Sequence, residues 1–172
     1  MRRAADHTVL SDSECIRSLP NAWTLRRTSV HEAGHSVIAR LLGLDCGGAS
    51  IVSTENRSGY SHINTKFASP AQACIVSMAG PAAERELLRR HGLPTDDTAF
   101  DKYDQHRIAV LIDRHRLNDT DVARFERMAR DLVQQHYDSI RRVAAALRKY
   151  RLLGASEIDK LLTEGVSHGR QD

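Results

Sequence analysis

The stretch Thr28-Ser29-Val30-His31-Glu32-Ala33-Gly34-His35-Ser36-Val37-Ile38-Ala39-Arg40-Leu41-Leu42 decides how this chain is read. Its apolar positions, Val30, Ala33, Val37, Ile38, Leu41 and Leu42, recur at steps of three and four, which is the period of an amphipathic helix. Gly43 follows where a helix C-cap belongs. Inside the helix, His31-Glu32-Ala33-Gly34-His35 has the form H-E-x-x-H. Positions i and i+4 share one face of a helix, one turn apart, so two imidazoles at this spacing can both reach one zinc ion at about 2.0–2.1 Å. Glu32 projects at a different angle, beside the metal rather than on it. There it can act as the base that takes a proton from a zinc-bound water. The competing reading is a chance match with two solvated histidines. The helical context weighs against it, and so does Gly34. A glycine inside a helix costs about 1 kcal/mol relative to alanine, so its presence predicts a close approach there, such as a strand packed over the site.

Zinc needs a third protein ligand. The remaining histidines form no second motif, which leaves the acidic cluster Asp96, Asp97, Asp101 and Asp104. Asp104 shares a helix face with Phe100, Ile108, Leu111 and Ile112, and a carboxylate on a buried face is costly unless it is paired or binds a metal. Asp104 is therefore the preferred ligand and Asp101 the alternative. Asp96 and Asp97 have the position of helix-start acids.

Working outward, Ala49 to Ser53 predicts a short strand, Glu55 to Gly59 a turn, and Tyr60 to Ile63 a second strand. Ser69-Pro70 opens a helix that runs to about Leu88, with Gly80-Pro81 expected to kink or split it. Another helix is expected to begin between Asp96 and Asp101 and to end near Arg116. Asn118-Asp119-Thr120-Asp121 starts a long helix that carries its apolar stripe from Val122 to Leu147. After a break at Leu153-Gly154, a short helix begins at Ser156. The expected fold class is mainly α with a small β-sheet. Residues 1–27 form a partly ordered lead-in with a short helix around Cys15 to Leu19, 28–163 the zinc peptidase domain, and 164–172 a flexible tail.

The totals agree with this reading. The 172 residues are 41% hydrophobic and 27% charged, with aromatics at 5%, as in a soluble domain with an aliphatic core. A net charge of +3 without a clustered basic patch gives no argument for nucleic acid. The basic run Arg141-Arg142 and Arg148-Lys149-Arg151 is read as a solvated helix face, with docking onto an acidic partner as the second reading. Cys15, Cys46 and Cys74 show no metal-ligand spacing and are expected to be reduced. No apolar run is long enough to span a membrane, and the N-terminus lacks the apolar stretch of a secretory signal. The expected location is the cytoplasm.

Four segments, taken in order, resemble the peptidase domain of the FtsH-type membrane proteases. They are His31 to His35 with its helix, the strand segment around Gly59-Tyr60, Met78-Ala79-Gly80-Pro81-Ala82-Ala83-Glu84, and the closing stretch from Ala129 to Leu162. The resemblance covers roughly residues 28–163. It implies a largely helical fold, Zn2+, and endopeptidase activity on unfolded or extended polypeptides. It also implies a substrate backbone that adds to an edge strand near Ile51, Val52 and Ser53. The chain departs from the family in carrying neither membrane spans nor a G-x-x-x-x-G-K-[ST] motif. It is therefore expected to act without ATP on flexible segments, or with a separate partner protein, as a monomer or a small homo-oligomer. Aligning the turn Gly92 to Asp97 directly with the family would move the third ligand to Asp96 or Asp97. The second reading is a zinc- and peptide-binding regulatory module with weak or no turnover. Glu84 has two readings, a brace for a metal ligand or a structural ion pair. Tyr60 is read as a substrate contact or a core-packing strand residue, and His62 as a strand histidine.

Overall fold

The computed structural model describes residues 22–53, 58–95 and 102–164. It is mainly helical with a three-stranded antiparallel sheet. In chain order the elements are α1 (Ala22–Leu41), β1 (Asp45–Ser50), β2 (Tyr60–Asn64), α2 (Pro70–Arg90), α3 (Lys102–His115), α4 (Asp119–Gln135), α5 (Tyr137–Tyr150), β3 (Leu152–Gly154) and α6 (Ala155–Glu164).

The central helix is α1, and it begins at Ala22, ahead of the periodic stretch. It packs against α2 on one side and α5 on another, while α2 also packs on α4 and α3. The side chains between them are aliphatic and fully buried: Val37 and Ile38 from α1, Ile75 and Val76 from α2, Val133 from α4, and Ile140 and Leu147 from α5. At its C-terminal end α1 is closed by Gly43 at φ +73°, a conformation that costs glycine little. An ion pair from Arg40 to Asp159 ties that end to α6. Helix α2 opens with a full capping box: Ser69 accepts from the Gln72 backbone, and the Gln72 side chain reaches back, satisfying two orphan donors at once.

Two expectations are corrected. Pro81 neither splits nor ends α2, which runs unbroken from Pro70 to Arg90. The long helix after Asn118 is two helices, α4 and α5, separated at His136 (φ −109°, ψ 19°). The expected break at Leu153-Gly154 is present, between the end of α5 at Tyr150 and the start of α6 at Ala155, and it holds the short strand β3. Asn118 does cap α4, its side chain accepting from the Asp121 N–H. Cys46 and Cys74 are buried and free. Cys15, and the short helix expected around it, lie outside the described residues.

The sheet order is β2-β1-β3, so β1 is the middle strand and β2 an edge. A bulge between Cys46 and Gly48 shifts the register on the β2 side. Gly48 sits at φ +142°, and a Cβ there would meet the Leu153 carbonyl oxygen at 2.4 Å. Only glycine lets β3 pair at that point. Strand β1 ends at Ser50. Ile51 is buried, with its N–H donated to the Arg151 carbonyl. Ile51, Val52 and Ser53 thus lie past the end of a strand whose two neighbours are already in place, and the edges of the sheet are β2 and β3.

Candidate metal centre

His31 and His35 leave α1 one turn apart, and Asp104 comes from the first turn of α3. The three side chains are buried together. His31 Nε2 is 2.9 Å from Asp104 Oδ2, His35 Nε2 is 3.1 Å from the same oxygen, and the two Nε2 atoms are 3.1 Å apart. Tetrahedral zinc with bonds of about 2.0–2.2 Å has donor atoms roughly 3.3–3.6 Å apart. An outward shift of a few tenths of an ångström brings this triangle to that spacing.

Helix α2 supplies the backing. Val76, Gly80 and Glu84 lie one turn apart on it, and all three face the histidines. His35 Nδ1 lies 2.7 Å from the Val76 carbonyl. A carbonyl only accepts, so Nδ1 carries the proton and Nε2 of the neutral ring presents a lone pair. His31 Nδ1 faces Glu84 Oε2 at 3.5 Å, and Glu84 is itself held by Arg27 at 2.5 Å. Glu84 thus forms an ion pair with Arg27 and stands behind His31. Two ring lone pairs and a carboxylate oxygen then converge, and such a cluster needs a positive charge at its centre. A metal ion fits that requirement. Without one, a proton takes the place. Burial opposes that proton on His31, but contacts with Asp104 and Glu84 overcome it and raise the ring to about 10. Burial likewise opposes charge on Asp104, and the two histidines outweigh it and hold the carboxyl far below its usual range.

Gly80 explains how the helices close over the site. A Cβ there would sit 2.3 Å from His35 Nε2 and 2.7 Å from His31 Nε2. Gly34 plays the reciprocal part on α1, since its Cβ would meet Ala83 Cβ at 2.7 Å and the Ala79 carbonyl at 2.8 Å. The close approach predicted at Gly34 is real, but the neighbour is helix α2 rather than a strand.

Glu32 points to the open side. Its Oε2 accepts from the Ser61 hydroxyl at 2.7 Å, and Gly59 packs against its Cγ and Oε1, where a Cβ would come within 3.0 Å. Burial raises its pKa, against the pull of His35, His31 and Ser61. A cleft of about 210 Å³ joins Glu32, the two histidines and Asp104 to the β2 residues Tyr60 to Ile63 and to Tyr103 and Arg107 of α3. Tyr60 and His62 thus line the cleft, Tyr60 being 41% exposed rather than packed in the core. Asp96, Asp97 and Asp101 lie outside the described residues. Among the described residues, His31, His35 and Asp104 form the one group of three that could hold a metal ion. Ser61, Gly80 and Arg107 were missed in the sequence, where a serine in a strand, a glycine before a proline and an arginine on a helix carry no site signal.

The fold and site define a helical domain with a candidate His-His-Asp metal centre at the edge of a small sheet. Neither a scan of protein-family models nor a search of curated proteins returns a match to this chain.

Proposed function

We infer that this domain is a zinc-dependent metalloendopeptidase of the FtsH type, hydrolysing peptide bonds in unfolded or extended polypeptides without ATP. The observation that carries this reading is the convergence of His31 Nε2, His35 Nε2 and Asp104 Oδ2 within 3.1 Å, with the Glu32 carboxylate in the same cleft. His31, His35 and Asp104 would hold the ion. Zn2+ supplies Lewis-acid chemistry, acidifying water to near neutrality and polarising a carbonyl.

The chain's own residues do the rest. The Ser61 hydroxyl occupies Glu32 Oε2, leaving Oε1 to take the proton of the attacking water. Glu32 then delivers that proton to the leaving amine, so water adds across the C–N bond. A carboxyl raised by burial is better matched to both transfers near neutral pH than an ordinary glutamate. Strand β2 borders the cleft, so an extended substrate would add along its edge. This moves the proposed substrate contact from Ile51, Val52 and Ser53 to Tyr60 to Ile63. The buried, free Cys46 and Cys74 are in keeping with a cytoplasmic setting. No helix among the described residues is long and apolar enough to cross a membrane.

The test is cleavage of a disordered polypeptide by zinc-loaded protein. Glu32→Gln should keep its zinc and lose at least about 100-fold in rate, within the range of acid–base contributions. Unchanged cleavage in that variant would remove Glu32 from the mechanism. Zinc and peptide binding with no cleavage by the wild type would favour the regulatory-module reading.

A further inference from the structure

A second cavity, of about 710 Å³, lies between the N-terminal half of α1, the C-terminal end of α2 and one face of α5, and is lined by residues other than those of the metal centre. Five arginines border it: Arg26, Arg90, Arg141, Arg142 and Arg148. Val30, Leu87 and Ala144 form a buried apolar floor. Two of the five guanidiniums are compensated. Arg90 pairs with Glu86 at 2.6 Å and Arg141 with Asp138 at 3.3 Å. The other three have no carboxylate in ion-pair range among the described residues.

Two of those three are held by neutral groups. Arg148 Nη1 donates to Ser29 Oγ at 3.1 Å, while Arg142 donates to the Leu161 carbonyl at 3.3 Å and to Ser139 Oγ at 2.9 Å. Such bonds restrict the guanidiniums without neutralising them. Burial, and after it the charge of Arg26, push the pKa of Arg148 down. A solvated helix face, the reading given to Arg141-Arg142 and Arg148, does not explain a pocket bordered by arginines from three helices, α1, α2 and α5.

We propose that this arginine pocket is a binding site for a small polyphosphate-bearing anion. Three uncompensated positive charges match the charge of a di- or triphosphate, whereas a single carboxylate would leave most of it unanswered. Guanidinium forks bind phosphate oxygens bidentately. The volume lies in the range of small-molecule sites, and the aliphatic floor has room for an organic portion. The anion could be inorganic polyphosphate or a nucleoside di- or triphosphate, which share this chemistry.

The experiment is calorimetric titration of the folded chain with inorganic tripolyphosphate, ADP and ATP, at low and at high salt. Saturable binding is expected, weakening as salt rises. Similar affinities for ATP and tripolyphosphate would assign recognition to the phosphates alone, and tighter ATP would assign the organic portion to the apolar floor. The double variant Arg26→Gln with Arg148→Gln should bind at least about tenfold more weakly, a loss of about 1.4 kcal/mol. Arg124→Gln, on α4 outside the pocket, should bind as the wild type does. Circular dichroism establishes that each variant is folded, and a single Arg26→Gln variant, which removes no ion pair, serves if the double variant is not. The affinity should also persist in Asp104→Ala, because the pocket is separate from the metal centre. No saturable binding by the folded wild type would overturn the proposal. So would equal loss in Arg124→Gln, loss of binding in Asp104→Ala, or tighter binding of an oligoglutamate peptide than of any phosphate.

Discussion

Replacing Gly80 by alanine perturbs the candidate metal centre without changing any of its three side chains. The added methyl would lie 2.3 Å from His35 Nε2, where ordinary contact begins at 3.4 Å. The ring or the helix must therefore give way by about 1 Å, several times the roughly 0.2 Å latitude of a metal–ligand distance. Neither can do so freely. His35 is anchored through Nδ1 to the Val76 carbonyl, and retreat of α2 would open the contact between Gly34 and Ala83. The zinc affinity of Gly80→Ala should fall by at least about 100-fold, or about 2.7 kcal/mol. Stability should change less, because alanine gains about 1 kcal/mol of helix propensity against an overpacking cost of about 1–3 kcal/mol. Competition with a chromophoric chelator gives the affinity, and a thermal melt of the metal-free protein gives the stability. A folded Gly80→Ala protein with wild-type zinc affinity would refute the placement of Gly80 against the ligands.

Four further outcomes follow from the same geometry. His31 is raised to about 10 in the metal-free protein, so at pH 7 a metal must displace its proton. Calorimetry in buffers of different ionisation enthalpy should show about one proton released per metal bound. The stabilisation linked to the raised His31 is complete below its ordinary value near 6.5 and is lost as pH rises through about 10. The metal-free protein should therefore lose thermal stability across that window, with a smaller loss in the metal-loaded form. Glu84→Gln removes the charge behind His31 Nδ1 and should weaken metal binding by roughly 10- to 100-fold, measured by the same chelator competition. Gly34→Ala drives a methyl against Ala83 Cβ and the Ala79 carbonyl. It should lower stability by about 1 kcal/mol or more despite the better helix former, because overpacking exceeds propensity; a denaturant midpoint checks this.

The parts of the site legible in the sequence are those carried by local period. His31, Glu32 and His35 could be placed because one helix fixes their relative angles. Asp104 could be chosen because a buried carboxylate stands out against an apolar stripe, and it is the aspartate found beside both histidines. What stayed hidden depends on contacts between distant segments. The pairing of β3 with β1 joins residues about a hundred positions apart, and a three-residue strand has no periodicity to read. The division at His136 carries no glycine or proline, and the apolar stripe keeps its phase through it, from Phe125, Ala129 and Val133 to Tyr137, Ile140 and Leu147. Gly80 reads as a helix breaker beside Pro81, since its use appears only when α1 lies against it. The edge of the sheet was misplaced for a related reason. Ile51 and Val52 have strand composition, but β3 takes up the far side of β1 and leaves β2 beside the cleft.

The measurement that bears most directly on the account is zinc stoichiometry by elemental analysis of the purified, zinc-supplied protein, wild type against Asp104→Ala, both shown to be folded. The proposed function predicts about one zinc per wild-type chain and its loss in the variant, as expected for a three-ligand site deprived of one ligand. A wild type that retains no zinc, or an Asp104→Ala protein that retains it fully, would contradict the metal centre on which the proposed activity depends.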